Sequence, residues 1–492
     1  MRNEVQFILN GKIRRLDKIE PTLTVLRYLR EEERSMGSKE GCAEGDCGAC
    51  TAVLAELEGD ELRYRAVNTC IQFVGTLDGK ALLTVEYLKS KGELHPVQKA
   101  MVDEQGSQCG FCTPGFVMSM FAGVQNGVAP QRQAIDDLLA GNLCRCTGYT
   151  PIINAAKKVL EQRDRTVFDA RKSELVDQLK TLSLNDSVQL QAEGRIFIAP
   201  STIDELADVL LAHPEATVLA GGTDVGLFVT KKRTHPDTLV HLGKVAELAG
   251  LSRTDEGLRI GAAVTYERAW PELKALYPGI SEMIRRIGAT QVRNLGTIGG
   301  NIANGSPIGD MPPALIAADA TLRLRRGKET RELPLEQFFI AYGKQDRAPS
   351  EFIESILVPR PDKNAVLKAY KITKRIDQDI SSVCGAFNLT FEKSGSAWTV
   401  ADARICFGGM AGTPLRASEC EAFLKGRIWN DETVTAAEAI LRSCYKPLSD
   451  WRASADYRSQ VAGNLLRKYF IETTKERTIC VADRREGQEY VC

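Results

Sequence analysis

Eight of the chain's 14 cysteines fall between Cys42 and Cys146, and that density constrains the fold more than any other feature. Cys42, Cys47 and Cys50 are spaced C-x4-C-x2-C, and Cys70 follows after 19 residues. Cys109 and Cys112 form C-x2-C, while Cys144 and Cys146 form C-x-C. A reducing compartment keeps thiols free, so such a group there points to metal rather than to disulfides. The first set has the plant-type spacing for a [2Fe–2S] cluster. Its loop, GCAEGDCGAC, holds Gly41, Gly45 and Gly48, which let the backbone curl until its amides face sulfur. The rival use of four thiolates is structural zinc. Zinc favours paired knuckles, and three cysteines in one loop with a distant fourth fit that poorly. For the second set, spacing leaves both a second [2Fe–2S] cluster and zinc open.

The rest of the chain reads as an α+β multidomain protein. Its 492 residues suggest about three or four domains. Lys plus Arg equals Asp plus Glu at 64, so no global charge favours nucleic acid or an anionic membrane. No apolar run is long enough for a transmembrane helix, and the N-terminal run is too short for a signal peptide, so a cytoplasmic location is expected. VQFILNGKIRRLD predicts a hairpin about Asn10-Gly11, and TLTVLRYLREE a helix capped by Thr22 or Thr24. TAVLAEL and RYRAVNTCIQFV add two strands, completing a small domain over 1–86. Four helical segments over 87–163, two opening on Thr-Pro, predict a compact bundle. Residues 164–194 are polar and read as a linker. An α/β region follows over 195–370, then a C-terminal α+β domain over 371–485. The four scattered histidines read as structural, and Cys384, Cys406, Cys420, Cys444, Cys480 and Cys492 have no paired ligand spacing and read as buried or free thiols.

Two glycine-rich loops stand out, VLAGGTDVG (218–226) and GTIGGNIANGSPIGD (296–310). Neither is a G-x-G-x-x-G fingerprint. Bare glycines still expose consecutive amides, which cradle a pyrophosphate without net positive charge. Thr223, Asp224, Asn301 and Asp310 are polar handles beside them.

GCAEGDCGAC, QCGFCTPG and GNLCRCTGY, in that order, resemble the iron–sulfur part of the molybdenum hydroxylases, the xanthine dehydrogenase and aldehyde oxidoreductase family. The resemblance implies a ferredoxin-like β-grasp domain followed by a helical domain, each with one [2Fe–2S] cluster. Cys109, Cys112, Cys144 and Cys146 are then ligands, and Gln108 approaches a pterin supplied by another chain. The glycine loops resemble the family's FAD domain and its vanillyl-oxidase-like relatives. That implies FAD contacts at Val218, Leu219, Ala220, Gly221, Gly222, Thr223, Asp224, Val225, Thr297, Gly300, Asn301 and Asp310. Ile353 matches an apolar position beside the flavin ring. Lys371 matches a lysine at the ring's polar edge, where a cation favours a reduced, anionic flavin. From the residues alone, Lys371 reads as a solvated surface lysine. Ile287 stands where some members place an aromatic ring, and KRIDQD (374–379) differs from the double-Arg form of others, which leaves NAD or oxygen open as acceptor. The C-terminal domain resembles that of the CO-dehydrogenase flavoprotein.

The resemblance implies the electron-transfer chain of a split, xanthine-dehydrogenase-like enzyme. A separate molybdopterin-binding chain would complete it, in a heterotetramer of two small and two large subunits, with NAD as acceptor. Other readings are a reductase chain for an aldehyde or N-heterocycle hydroxylase, a free-standing electron carrier, and a non-catalytic zinc-binding protein.

Overall fold

The computed structural model describes residues 1–90, 92–162, 171–182, 186–395 and 397–474. The chain forms two units, Met1–Leu248 with Gly288–Thr297, and Ala249–Ile287 with the residues from Ile298 onward. The α/β region expected over 195–370 is thus divided between them.

In the first unit, Asn10 and Gly11 both take positive φ, 51° and 81°, and turn β1 (Val5–Leu9) back onto β2 (Lys12–Leu16). With β3 (Thr51–Glu58), β4 (Glu61–Asn68) and β5 (Ala81–Leu83) they form a sheet of order β2-β1-β5-β3-β4. β1 and β5 are parallel and the other pairs antiparallel. The helix expected over 22–32 is α-helical only at Val25–Arg27 and continues as a π-helix, Tyr28–Glu32. Thr24 is its cap, accepting from the Arg27 amide at 3.3 Å. β4 ends at Asn68, short of the expected strand, because Thr69 turns inward to donate to the Cys50 carbonyl at 2.7 Å.

Helices Pro96–Asp103, Thr113–Gln125, Arg132–Leu139 and Thr150–Gln162 form the expected bundle. Thr113–Gln125 is buried all round from Gly115 to Val124 and is its central member. Thr113 and Thr150 are the first helical residues rather than caps; the Thr113 hydroxyl pairs with Ser107 at 2.7 Å. The expected linker contains helix Lys172–Thr181 and β6 (Val188–Ala192). Leu175, Leu179 and Leu182 are buried in the bundle's core, a stripe too short to show against the charged background. Residues 163–170 and 183–185 lie outside the described residues. A second sheet, of order β6-β7-β9-β8, adds β7 (Arg195–Ala199), β8 (Thr217–Leu219) and β9 (Thr238–His241). Asp78, with a side chain 2% exposed, binds Arg2 at 2.9 Å and Lys244 at 2.5 Å, and accepts from the Gln6 amide.

The second unit has two antiparallel sheets. β10 (Leu251–Arg253), β11 (Gly257–Gly261), β12 (Thr321–Arg326) and β13 (Glu329–Pro334) join β16 (Phe352–Pro359) in the order β10-β11-β16-β12-β13. The short pair β14 (Phe339–Ala341) and β15 (Lys344–Gln345) stands apart. β17 (Ala365–Ile372), β18 (Val383–Ser394), β19 (Ala397–Gly408) and β20 (Leu415–Arg416) form the other sheet, packed by helices Asp431–Ser443 and Ala455–Thr474. Helix Met311–Ala317 is wholly buried against β18 and β19. Cys384, Cys406 and Cys420 are buried and Cys444 half-buried, as expected; Cys480 and Cys492 lie outside the described residues. No helix among the described residues is long and apolar enough to cross a membrane.

Two outcomes follow. Asp78→Ala strips two cations of their buried partner and should cost about 3–5 kcal/mol in a denaturant melt, a loss under about 1 kcal/mol showing the network dispensable. His241 is buried against Phe197, and burial, with Lys80 and Lys244 nearby, pushes it down to about 3. The unfolded chain therefore takes up a proton that the folded one refuses, and stability is lost as pH falls from about 6.5 toward 3. His241→Phe should flatten acid unfolding across that window; superimposable acid melts for variant and parent would refute this.

Candidate functional site

The first cysteine loop folds around its own sulfur. The amides of Glu44, Asp46 and Cys47 donate to Cys42 Sγ at 3.3–3.4 Å, and the Cys42 amide donates to Cys47 Sγ at 3.3 Å. Gly45, at φ 78°, and Gly48, at φ 71°, supply the left-handed turns this requires. Cys50 and Cys70 are buried, while Cys42 and Cys47 are half-buried. Asn68 ties the far side, donating to the Gly45 carbonyl at 2.7 Å and facing Cys50 Sγ at 3.8 Å. The four thiols interact directly, Cys42 with Cys47 and Cys70, and Cys50 with Cys70. Hydrogen bonds from Cys47 and Cys70, then from backbone amides, hold the Cys42 thiol well below its ordinary range. Cys42 and Cys50, with burial, push Cys70 far up. Four thiols this close do not all ionise unaided. A group that makes thiolates of all four has to bring positive charge, as two irons do.

The second set sits at the bundle's surface. Cys109 and Cys146 are exposed, with sulfurs 3.5 Å apart. Cys112 opens helix Thr113–Gln125, and burial followed by its hydrogen bond with Cys144 pushes its thiol up to about 12. Cys144 is buried; the Thr147 hydroxyl at 3.2 Å and nearby amides outweigh that burial and hold its thiol below the ordinary value. The sulfurs pair as Cys109–Cys146 and Cys112–Cys144, a set of four thiols that would suit a two-iron group. Gln108 is exposed beside them, as are Phe111, Leu143 and Tyr149.

The two loops meet. The Leu143 amide donates to the Cys47 carbonyl at 3.0 Å. Asn142 donates to the Gly48 carbonyl at 3.1 Å. A Cβ on Gly48 would lie 2.1 Å from the Gly141 carbonyl, and one on Gly115 would lie 2.2 Å from the Gly48 carbonyl. On its other side the first set abuts the loop 218–226. A Cβ on Gly226 would fall 2.3 Å from the carbonyl of Ile71, the neighbour of Cys70. Lys231 Nζ donates to the Cys42 carbonyl at 2.6 Å and pairs with Glu44 at 3.1 Å.

Packing adds a second reason for the bare glycines of one loop. Gly221 is bare because a Cβ would strike the Leu295 carbonyl at 1.7 Å, and Gly226 because of Ile71. Only Gly222, at φ 75°, is required by the turn itself. The first unit thus holds Val218–Val225 and Thr297. The second holds Ile287, Gly300, Asn301, Asp310, Ile353 and Lys371. Within it, Lys371 is not a solvated surface lysine. Its side chain is 3% exposed and pairs with Asp310 at 2.5 Å, and Ser381 donates to the other Asp310 oxygen at 2.5 Å. The Asn301 Oδ1 is buried with no partner among the described residues, an acceptor that fits a hydroxyl-bearing ligand such as the ribityl part of FAD. Ile353 lies buried on β16, and Ile287 packs half-buried against the same core. Asn68, Asn142, Gln291 and Ser381 were not singled out from sequence. Lone amides and hydroxyls have no spacing signature.

Four family models match in order. They are a 2Fe-2S iron-sulfur cluster binding domain (7–74), a [2Fe-2S] binding domain (84–157), the FAD binding domain in molybdopterin dehydrogenase (189–361), and the CO dehydrogenase flavoprotein C-terminal domain (368–473). Xanthine dehydrogenase of Drosophila subobscura is 34% identical over 469 residues, covering 84% of this chain and 35% of that protein. Aldehyde oxidase 1 of Bos taurus is 29% identical over 530 residues, 96% of this chain and 39% of that one. The chain therefore spans about a third of the length of the curated relatives it matches. Among solved structures, carbon monoxide dehydrogenase from Hydrogenophaga pseudoflava superposes with a TM-score of 0.52 at 29% identity, covering 55% of this chain and 94% of that one. The expected cofactor set stands: two 2Fe-2S domains and one FAD-binding domain.

Gly48→Ala should fold with the two loops forced apart and with reduced iron content. A left-handed non-glycine residue alone costs about 1–2 kcal/mol. Full iron by chemical assay and an unchanged visible spectrum would show that the close approach is not needed.

Proposed function

We propose that this chain, which carries the iron–sulfur and FAD electron-transfer domains of the molybdenum hydroxylase family, serves a xanthine-dehydrogenase-like enzyme whose molybdopterin part oxidises a purine. Electrons would enter at the second cysteine set, pass to the first, and leave from FAD to NAD. When bound, the clusters carry single electrons and FAD converts between one- and two-electron transfer. One observation supports the order: within the first unit, Leu143, the neighbour of Cys144, donates to the Cys47 carbonyl, Cys42 contacts both Cys47 and Cys70, and Ile71, the neighbour of Cys70, abuts Gly226 of the loop 218–226, while Cys109 and Cys146 are exposed.

The chain's residues supply placement and charge. Eight cysteines hold the two iron–sulfur groups, and amides on Cys42 Sγ stabilise the negative charge there. Val218–Val225, Thr297, Gly300, Asn301 and Asp310 would hold FAD, with Ile287 and Ile353 offering aliphatic rather than aromatic contact to the ring. Asp310 and Ser381 aim the Lys371 cation, which would favour anionic reduced flavin. Gln108, with exposed Phe111, Leu143 and Tyr149, would meet the partner that holds the pterin. Its chemistry, and the pairing of two small with two large chains, follow the family resemblance. A cytoplasmic site suits free thiols.

Anaerobic titration of the purified chain with NADH tests the acceptor. Bleaching of both flavin and cluster absorption is expected, since the FAD would take hydride and pass electrons back to the clusters. Bands that resist NADH yet bleach with dithionite would replace NAD with another acceptor.

A further inference from the structure

The segment Gly288–Thr297 falls within the FAD-domain match, yet it belongs to the same unit as both cysteine sets. It is fastened at three points. Thr290 donates to the Asp137 carbonyl at 3.2 Å, on a helix of the bundle. Asn294 donates to the Ala66 carbonyl at 2.8 Å, on β4 of the ferredoxin-like sheet. Between them Gln291 is wholly buried, at 0% exposure. Its Nε2 lies 3.1 Å from Asn142 Oδ1, 3.2 Å from Ser119 Oγ and 3.4 Å from Thr51 Oγ1.

Each of these partners belongs to the junction of the two loops. Thr51 follows Cys50 and donates to the Gly48 carbonyl at 2.7 Å. Ser119 lies on the helix that Cys112 opens and donates to Asn142 Oδ1 at 2.6 Å. Asn142 binds the Gly48 carbonyl and directly precedes Leu143, whose amide meets the Cys47 carbonyl. From that carbonyl to Cys144 the path is one hydrogen bond and one residue. Gln291 also fills the space beside Gly141, where a Cβ would lie 1.8 Å from its Oε1. That Oε1 has no partner among the described residues, and burying an unsatisfied acceptor is unfavourable. Such a residue is an expensive filler, and its value lies in the network that its amide nitrogen closes.

We propose that Gln291 is a positioning residue for electron transfer between the two iron–sulfur groups. Carried by the flavin-domain segment, it closes the Thr51–Ser119–Asn142 network and so sets the contact between Cys47 and Leu143. One electron leaves the group held by Cys109, Cys112, Cys144 and Cys146, and one arrives at the group held by Cys42, Cys47, Cys50 and Cys70. No bond forms or breaks and no proton moves. The inference rests on the electron order proposed above and adds that the flavin domain tunes a transfer step in which flavin takes no part.

The test uses the full chain loaded with both clusters and FAD, partly reduced with dithionite. In Gln291→Leu, iron and flavin content should match the parent, and both cluster signals should persist in electron paramagnetic resonance. The magnetic splitting between them should shrink, and electron redistribution after rapid mixing should slow on the order of tenfold. Full loading with parental splitting and rate overturns the proposal. Should Gln291→Leu fail to fold, Ser119→Ala removes one arm and should weaken the splitting in the same direction; no change there also overturns it. If the parent chain itself shows fewer than two cluster signals, the proposed electron order fails first, an outcome read before any variant is made.

Discussion

Everything in the first unit depends on how closely two backbone loops approach at Gly48. A cysteine loop that must present amides to sulfur cannot also pack by side chains, so it packs by its main chain. Gly48 and Gly115 lack the Cβ atoms that would hold the two segments apart. Asn142 then binds the Gly48 carbonyl, and Leu143 binds that of Cys47. Two domains that each hold four cysteines thereby share one buried polar centre. A contact closed by one side-chain and one main-chain hydrogen bond, from Asn142 to Gly48 and from Leu143 to Cys47, is short, which is the geometry that electron transfer between two sites needs.

The asymmetry of burial gives that contact a direction. Cys50 and Cys70 are closed off by Leu26, Ile71 and Leu227, and Ile71 in turn touches the loop that carries Gly222 and Gly226. Cys109 and Cys146 lie open, among exposed Phe111, Leu143 and Tyr149. One set thus faces inward to the flavin-domain loop, and the other lies open at the surface of the unit. In the second unit, a buried ion pair with a hydroxyl on its far side fixes both the Lys371 cation and the Asp310 carboxylate. Such a pair stabilises little by itself, but it holds a charge in one place.

Residue type alone leaves out the neighbour. Gly221 and Gly226 read as phosphate-binding glycines, yet each also has a packing reason, against Leu295 and Ile71. Lys371 reads as a surface lysine, yet its partner lies 61 residues earlier. The segment 164–194 reads as linker, yet Leu175, Leu179 and Leu182 dock it to the bundle. In each case a local pattern was correct about composition and silent about the neighbour.

The sequence by itself determined the two cysteine groups and the order of domains. Cysteine spacing is a local property, because a loop of nine residues from Cys42 to Cys50 can fold around one centre without help from the rest of the chain. The Asn10-Gly11 hairpin and the four helices of the bundle are local for the same reason, since turn chemistry and a 3.6-residue period act over one or two turns. Only the tertiary structure decided that Gln291 and Asn294 insert between the cysteine domains, that Asp310 meets Lys371, and that the flavin region is shared between two units. Those facts join residues tens to hundreds of positions apart through single hydrogen bonds. A contact of that kind leaves no period or spacing along the chain to be read.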